Sequence, residues 1–135
     1  MSQATQLSAF IGTAAGAKIL PLVRHGLPAA AVQTFIASGA ISAAELHELV
    51  LPRKTYANRQ KLGILTPEQS DRLVRVARVL AAAEENFGTR DIAHRWLRRP
   101  SDALDGEAPL KLLDTDEGAR MVEALLIRIA HGIAA

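Results

Sequence analysis

Arg53, Lys54, Thr55, Asn58, Arg59 and Lys61 lie in one short stretch of the chain. On a helix, Lys54, Asn58 and Lys61 stand at i, i+4 and i+7 and share a face, with Thr55 and Arg59 beside them and Arg53 in the first turn. Such a face offers N–H donors to phosphate oxygens, and its side-chain types match base edges: Arg and Lys pair with guanine, Asn with adenine. The chemistry expected is therefore recognition of nucleic acid. The alternative for the same residues is a helical hairpin whose basic face is merely solvated.

Chemistry on a substrate finds little support. There is no cysteine, no G-x-S-x-G and no H-E-x-x-H, so neither a thiolate nor a familiar hydrolytic constellation is available. His25, His47, His94 and His131 are scattered without ligand spacing and read as surface or capping residues. Gly12 to Lys18 is a poor phosphate loop, because its glycines are misspaced and Ile19 stands where Ser or Thr is needed. Paired Glu84 and Glu85 read as solvated charges near a helix end. No catalytic residue, metal site or cofactor is expected, and an enzyme is the weaker alternative.

The donors need elements to position them. Ser42 followed three places on by Glu45 is a capping box, which opens a helix through Leu46, Leu49 and Val50. A tight turn at Val50 to Pro52 leads into a second short helix that Gly63 ends, with Tyr56 facing inward against Leu46 and Leu49. That order is the helix-turn-helix layout, in which the second helix enters the major groove. Upstream, Ala17 to His25 and Pro28 to Gly39 each read as a helix, and Met1 to Gly16, rich in Ala, Ser, Thr and Gln, reads as a poorly ordered lead-in.

Downstream, Thr66-Pro67-Glu68-Gln69 caps a long helix running to Phe87 and Gly88, whose Leu73, Val76, Leu80, Ala83 and Phe87 are spaced by three or four. A helix around Ile92, Trp96 and Leu97 closes at Pro100. A turn-rich link then leads from Ser101 to Pro109, and a brief helical turn spans Leu110 to Leu113. Asp114 and Glu117 are expected to cap a last helix, in which Met121, Leu125, Ile129 and Ile133 recur every four residues. No strand-like alternation appears, so the fold class is all-α.

The chain has 135 residues, of which 49% are hydrophobic and only 4% aromatic, so the core must be aliphatic and helical. Residues 1–80 carry nine Lys or Arg against four Asp or Glu, and residues 81–135 carry seven against ten. A basic early part and an acidic late part suggest two partners, a polyanion first; ordinary solvated helix faces are the plainer account. His25 to Ala44 lacks charge but holds too many Gly, Pro, Ser and Gln residues for a membrane span. With no cysteine and no secretory signal pattern, a cytoplasmic location is the default expectation.

From Leu51 onward the sequence closely resembles the MbcA/ParS/Xre antitoxin family, the partners of RES-domain toxins. The anchors recur in order: Leu65-Thr66-Pro67-Glu68, Ser70-Asp71-Arg72-Leu73, Phe87-Gly88, Trp96-Leu97, Pro109-Leu110, Leu112-Leu113, Glu117-Gly118-Ala119 and Arg128-Ile129 with Gly132. The link before Pro109 departs from the Asn and Gly frequent in that family. The resemblance implies a dimerising, operator-binding helix-turn-helix part over residues 17–65. A helical toxin-binding part over residues 66–135 packs with it.

It further implies a partner toxin that consumes NAD or uses it for ADP-ribosylation, blocked at its nucleotide cleft. Trp96, Leu104, Pro109 and Leu112 are candidate apolar anchors for that contact, although Trp96 beside Ile92 also reads as core. Arg128, Ile129, His131 and Gly132 lie where a chain end could enter a cleft built for an anionic dinucleotide. A second copy is the third expected partner, joined through the apolar region from Ile19 to Ile41. The competing reading is a transcriptional regulator that shares the DNA-binding helix but has no toxin.

Overall fold

The structure, a computed structural model, describes residues 2–132. Eight α-helices make up most of it: α1 (Gln3–Ile11), α2 (Ile19–His25), α3 (Ala30–Ala37), α4 (Ala43–Leu49), α5 (Arg53–Leu62), α6 (Pro67–Phe87), α7 (Arg90–Arg98) and α8 (Asp116–Ala130). Two 3-10 segments, Asp102–Leu104 and Pro109–Asp114, lie between α7 and α8. No strand forms among the described residues, where β pairing is confined to the isolated bridges Pro28 to Ile64 and Ser101 to Glu107. The all-α expectation holds.

Helix α6 is the spine. Thr66 caps it as anticipated: the Gln69 N–H donates to the Thr66 hydroxyl at 3.1 Å, and the Thr66 N–H donates back to the Gln69 amide oxygen at 3.0 Å. Its apolar residues Leu73, Val76, Val79 and Leu80 are all within 1% of full burial. It packs on α1 and α2 from the early part of the chain and on α7 and α8 from the late part. Both parts of the chain thus bury their apolar surface on the same helix, which supplies a single core.

The lead-in expectation for residues 1–16 is overturned over its greater part. Gln3–Ile11 is a helix capped by the Ser2 hydroxyl and ended by Gly12 in the left-handed region. Phe10 and Ile11 are 1% and 3% exposed, and the Phe10 ring stacks on Phe35 with centroids 5.2 Å apart. Abundant Ala, Ser, Thr and Gln hide a short apolar set, Leu7, Phe10 and Ile11, at i, i+3 and i+4. Glu84 and Glu85 are also not simply solvated: Glu84 accepts from the Gln6 amide at 3.1 Å and from Arg90 Nε at 3.1 Å, and Glu85 accepts from the Gln3 N–H at 2.7 Å.

Between α2 and α6 the chain makes a close crossing. Leu65 N–H donates to the Leu27 carbonyl, Ala29 N–H to the Gly63 carbonyl, and Leu27 N–H to the fully buried Ser70 hydroxyl at 2.8 Å. Gly26 has φ 104, and a Cβ there would fall inside van der Waals reach of the Leu65 carbonyl, so only glycine fits. Ser70 satisfies a backbone donor that the crossing would otherwise bury unpaired.

In the C-terminal part, the cap of the last helix differs from expectation. The 3-10 segment runs on to Asp114, so the cap of α8 is Thr115, whose hydroxyl accepts from Gly118 N–H at 2.9 Å, and not Asp114. The link from Ser101 contains an Asp105-Gly106 turn with both φ values positive, 57 and 82, closed by the Glu107 N–H donating to the Leu104 carbonyl. Of the apolar repeat expected on α8, Leu125 is buried and Ile129 half-buried, but Met121 is exposed and Val122 takes the core position beside it; Ile133 lies outside the described residues.

Gly118 is the tightest point of this region, since a Cβ would overlap the Leu112 carbonyl of the 3-10 segment. Gly118→Ala must therefore displace α8 from that backbone. We expect it to lower stability by about 1–3 kcal/mol, read as a reduced urea midpoint, whereas Ala124→Gly on the exposed face of α8 should cost about 1 kcal/mol or less.

Candidate functional site

The helix-turn-helix is assembled as its sequence dictates. Glu45 N–H donates to the Ser42 hydroxyl at 3.1 Å and Ser42 N–H donates to the Glu45 carboxylate at 3.0 Å, which completes the box at the start of α4. Leu46, Leu49 and Leu51 are buried, and Tyr56 turns inward from α5 with its ring 5.6 Å from that of His47. His47 Nδ1 lies 3.0 Å from the Leu51 carbonyl across the turn.

With Tyr56 buried, the opposite side of α5 is left to polar side chains. Arg53, Lys54, Asn58 and Lys61 are exposed, while Thr55 and Arg59 are half-buried. Lys54, Asn58 and Lys61 therefore present one donor face, as their spacing requires. Arg59 is partly committed elsewhere: its Nε donates to the Ile64 carbonyl at 2.8 Å and braces the loop into α6. Gln33 and Gln60, which the sequence did not single out, flank a shallow cleft beside Tyr56. Their amides are exposed, and no local motif marks them.

A clamp ties this unit to the rest. Arg98 of α7 reaches Glu45 of α4 twice, Nε to one carboxylate oxygen at 2.9 Å and Nη2 to the other at 2.8 Å, and Nη2 also donates to the Ala40 carbonyl at 3.2 Å. Burial pushes the Glu45 carboxyl up, but the bonds from Arg98 and Ser42 together outweigh it and leave the group below its usual range. Nearby, burial together with the positive charges of Arg98 and Arg90 lowers the His94 imidazole, whose Nε2 is buried without a hydrogen-bond partner.

The candidate anchors of the C-terminal part are placed unequally. Leu104 is 3% exposed and Pro109 is buried, so both support the chain's own core and have no surface to give a partner; they are withdrawn as anchors. Trp96 and Leu112 are half-buried against the core, Trp96 with its ring 5.4 Å from Phe87. Toward the end of α8, Arg128, His131 and Gly132 are exposed, Ile129 is half-buried, and His131 Nδ1 lies 2.8 Å from the Ile127 carbonyl.

Ile92, Met121 and Ile127 are exposed apolar residues at 43%, 39% and 60%. Ile127 and Ala130 edge a groove between α6 and α8 in which the Asn86 amide nitrogen has no partner. Much of Ile19 to Ile41 is buried within the chain, Leu27, Val32 and Phe35 completely. That region cannot serve whole as an interface, which leaves mainly α2, where Leu20 is 58% exposed. Among the described residues no group of His, Cys, Asp or Glu could hold a metal ion, and no helix is long and apolar enough to cross a membrane.

These features define a small all-α protein in which a helix-turn-helix unit shares one helix with a second helical unit. Residues 18–78 match the profile of the antitoxin Xre-like helix-turn-helix domain, and residues 82–132 match that of the antitoxin Xre/MbcA/ParS C-terminal toxin-binding domain. The chain belongs to the Xre/MbcA/ParS family of antitoxins. It is 38% identical over 84 residues to antitoxin Xre of Pseudomonas putida, covering 62% of this chain and 53% of that one. With antitoxin Xre of Photorhabdus laumondii the identity is 40% over 72 residues, 53% of this chain and 49% of that one. A Prs ADP-ribosylating antitoxin of Sphingobium is 26% identical over 122 residues, 82% of this chain and 77% of that one. The chain spans about half the length of the Xre antitoxins it matches.

Both lowered groups at the clamp bind fewer protons folded than unfolded, so their contribution to stability is present above the unfolded pKa and is lost as pH falls. For His94 the loss begins below about pH 6.5, and for Glu45 below about pH 4.3. We expect the urea midpoint to fall in two stages on acidification. His94→Gln should flatten the upper stage and Glu45→Gln the lower, as followed by circular dichroism across the pH range.

Proposed function

We propose that the chain is the antitoxin of a type II toxin-antitoxin pair, performing no catalysis itself. Its partner is a RES-domain toxin that consumes NAD or transfers ADP-ribose, and the antitoxin blocks the toxin's active site. It also binds operator DNA and represses its own transcription, as a homodimer in the cytoplasm. The observation that carries this reading is the succession, on one chain, of the helix-turn-helix match and the toxin-binding match.

The division of labour follows the surfaces. Residues 17–65 supply the DNA contact through the exposed face of α5, with Lys54, Asn58 and Lys61 toward the groove and Arg53 and Thr55 toward phosphates. Residues 66–135 supply the toxin contact. Trp96 and Leu112 contribute their exposed edges, and Arg128, Ile129, His131 and Gly132 form the part that enters the nucleotide cleft. A guanidinium there meets the acidic or phosphate-binding chemistry of such a cleft in a way a neutral residue does not. The exposed side of α2 around Leu20 is the dimer contact.

Co-expression with the product of the adjacent reading frame tests the whole proposal: cells should keep their NAD when the chain is present and lose it when it is absent. Undiminished toxicity with the chain present, or no toxicity from the neighbour alone, would sink it. Among variants, Lys54→Ala with Asn58→Ala should weaken operator binding by about 1–3 kcal/mol for each lost base contact and leave NAD protection intact. Arg128→Glu should do the reverse. Arg59→Ala differs from both: losing its bond to the Ile64 carbonyl should lower stability by about 1 kcal/mol as well as affinity for DNA.

A further inference from the structure

Arg95 of α7 and Arg99, the residue that ends it, have side chains unused by the fold. Arg95 and Arg99 are exposed, and among the described residues neither side chain makes an ion pair or hydrogen bond, although Asp91 lies one turn before Arg95. Together with His94 and Arg98 they line an open concavity of about 440 Å³. The two carboxylates that act on His94 in this concavity are already occupied: Glu45 by Arg98, and Glu84 by Arg90. His94 adds no negative charge, so the concavity is cationic.

A basic residue near a helix C-terminus is commonly there to meet the last carbonyls. Arg98 already does this, donating from Nη1 to the His94 carbonyl at 3.2 Å. That account leaves Arg95 and Arg99 over. Their place in the fold is specific, because Arg98 pins α7 to the first turn of α4 through Glu45 and to the Ala40 carbonyl just before it. In helix-turn-helix docking the second helix enters the major groove while the first crosses the phosphate backbone. Arg98, which borders the same concavity as Arg95 and Arg99, therefore ties that concavity to the helix that the backbone passes.

We infer that Arg95 and Arg99 form a second phosphate clamp, gripping the DNA backbone where it crosses α4, so that a segment of the toxin-binding part contributes directly to DNA affinity. The inference rests on the DNA-binding reading of α4 and α5. It gives the late, acidic part of the chain a local basic surface with a function of its own.

The full chain is titrated by fluorescence anisotropy against the duplex immediately upstream of its own gene and against an unrelated duplex of equal length, over a range of salt. Removing two phosphate contacts should reduce the magnitude of the slope of log K on log salt by about 2. Arg95→Gln with Arg99→Gln is expected to do this while leaving the ratio between the two duplexes unchanged, because phosphate contacts carry no sequence information. The Arg95→Lys, Arg99→Lys pair should restore the slope, whereas Lys54→Ala with Asn58→Ala should lower the ratio. An unaltered slope in a Gln variant that melts like the parent overturns the inference, as does a variant that keeps its slope but no longer captures the toxin. If the parent chain binds neither duplex, the DNA-binding reading itself fails, and the clamp with it.

Discussion

Glu45 completes two structures with one carboxylate. One of its oxygens accepts the Ser42 N–H and closes the cap of α4, and both accept the fork of Arg98 from α7. Side-chain exposures of 29% for Arg98 and 27% for Glu45 put the pair between surface and core, where its net contribution to stability is modest. Its larger effect is on geometry. A bidentate fork admits a narrow range of angles, so α7 and the start of α4 are held in one relative orientation. The start of α4 and the end of α7 are positioned by that contact, and α7 is further held by its packing on α6.

The sharing of α6 has a bearing on how the two surfaces communicate. Surfaces built on separate domains move apart freely, because an interface between domains is small and polar. Here the apolar faces of α1, α2, α7 and α8 converge on one helix whose core residues are fully buried. A partner that shifts α8 acts on the packing that also supports α2 and the Ser70 crossing. Coupling between DNA and toxin, where it exists, needs no jointed linker; it needs only that the two ligands prefer different packings of the same core.

What the sequence revealed was local. Capping boxes at Ser42 and Thr66, the stops at Gly63 and Gly88 and the inward turn of Tyr56 are set by residues a few places apart, and the structure reproduces each. What it concealed was tertiary. Helix α1 rests on Phe10 meeting Phe35, and no window of the early sequence contains both. Leu104 and Pro109 looked available because the link is turn-rich, yet their burial depends on α8 closing over them. Arg59 matched its neighbours in charge while its Nε was taken by a carbonyl five residues on. The donor face of α5 was legible because one periodicity defines it, whereas the basic concavity of α7 emerges only when Arg98 is seen to be occupied.

The Asp105-Gly106 turn bears on chemical ageing. Among aspartyl pairs, aspartate followed by glycine is the most prone to form a cyclic imide, in which the glycine nitrogen attacks the aspartyl carboxyl with loss of water and the chain re-opens as isoaspartate. In the folded turn that nitrogen is engaged, its hydrogen donated to the Ser101 carbonyl at 2.9 Å, and the left-handed backbone at Asp105 is fixed by the bridge from Ser101 to Glu107. The same dipeptide that shapes the link is thereby shielded by it, and isomerisation damage is confined to molecules that have already come undone.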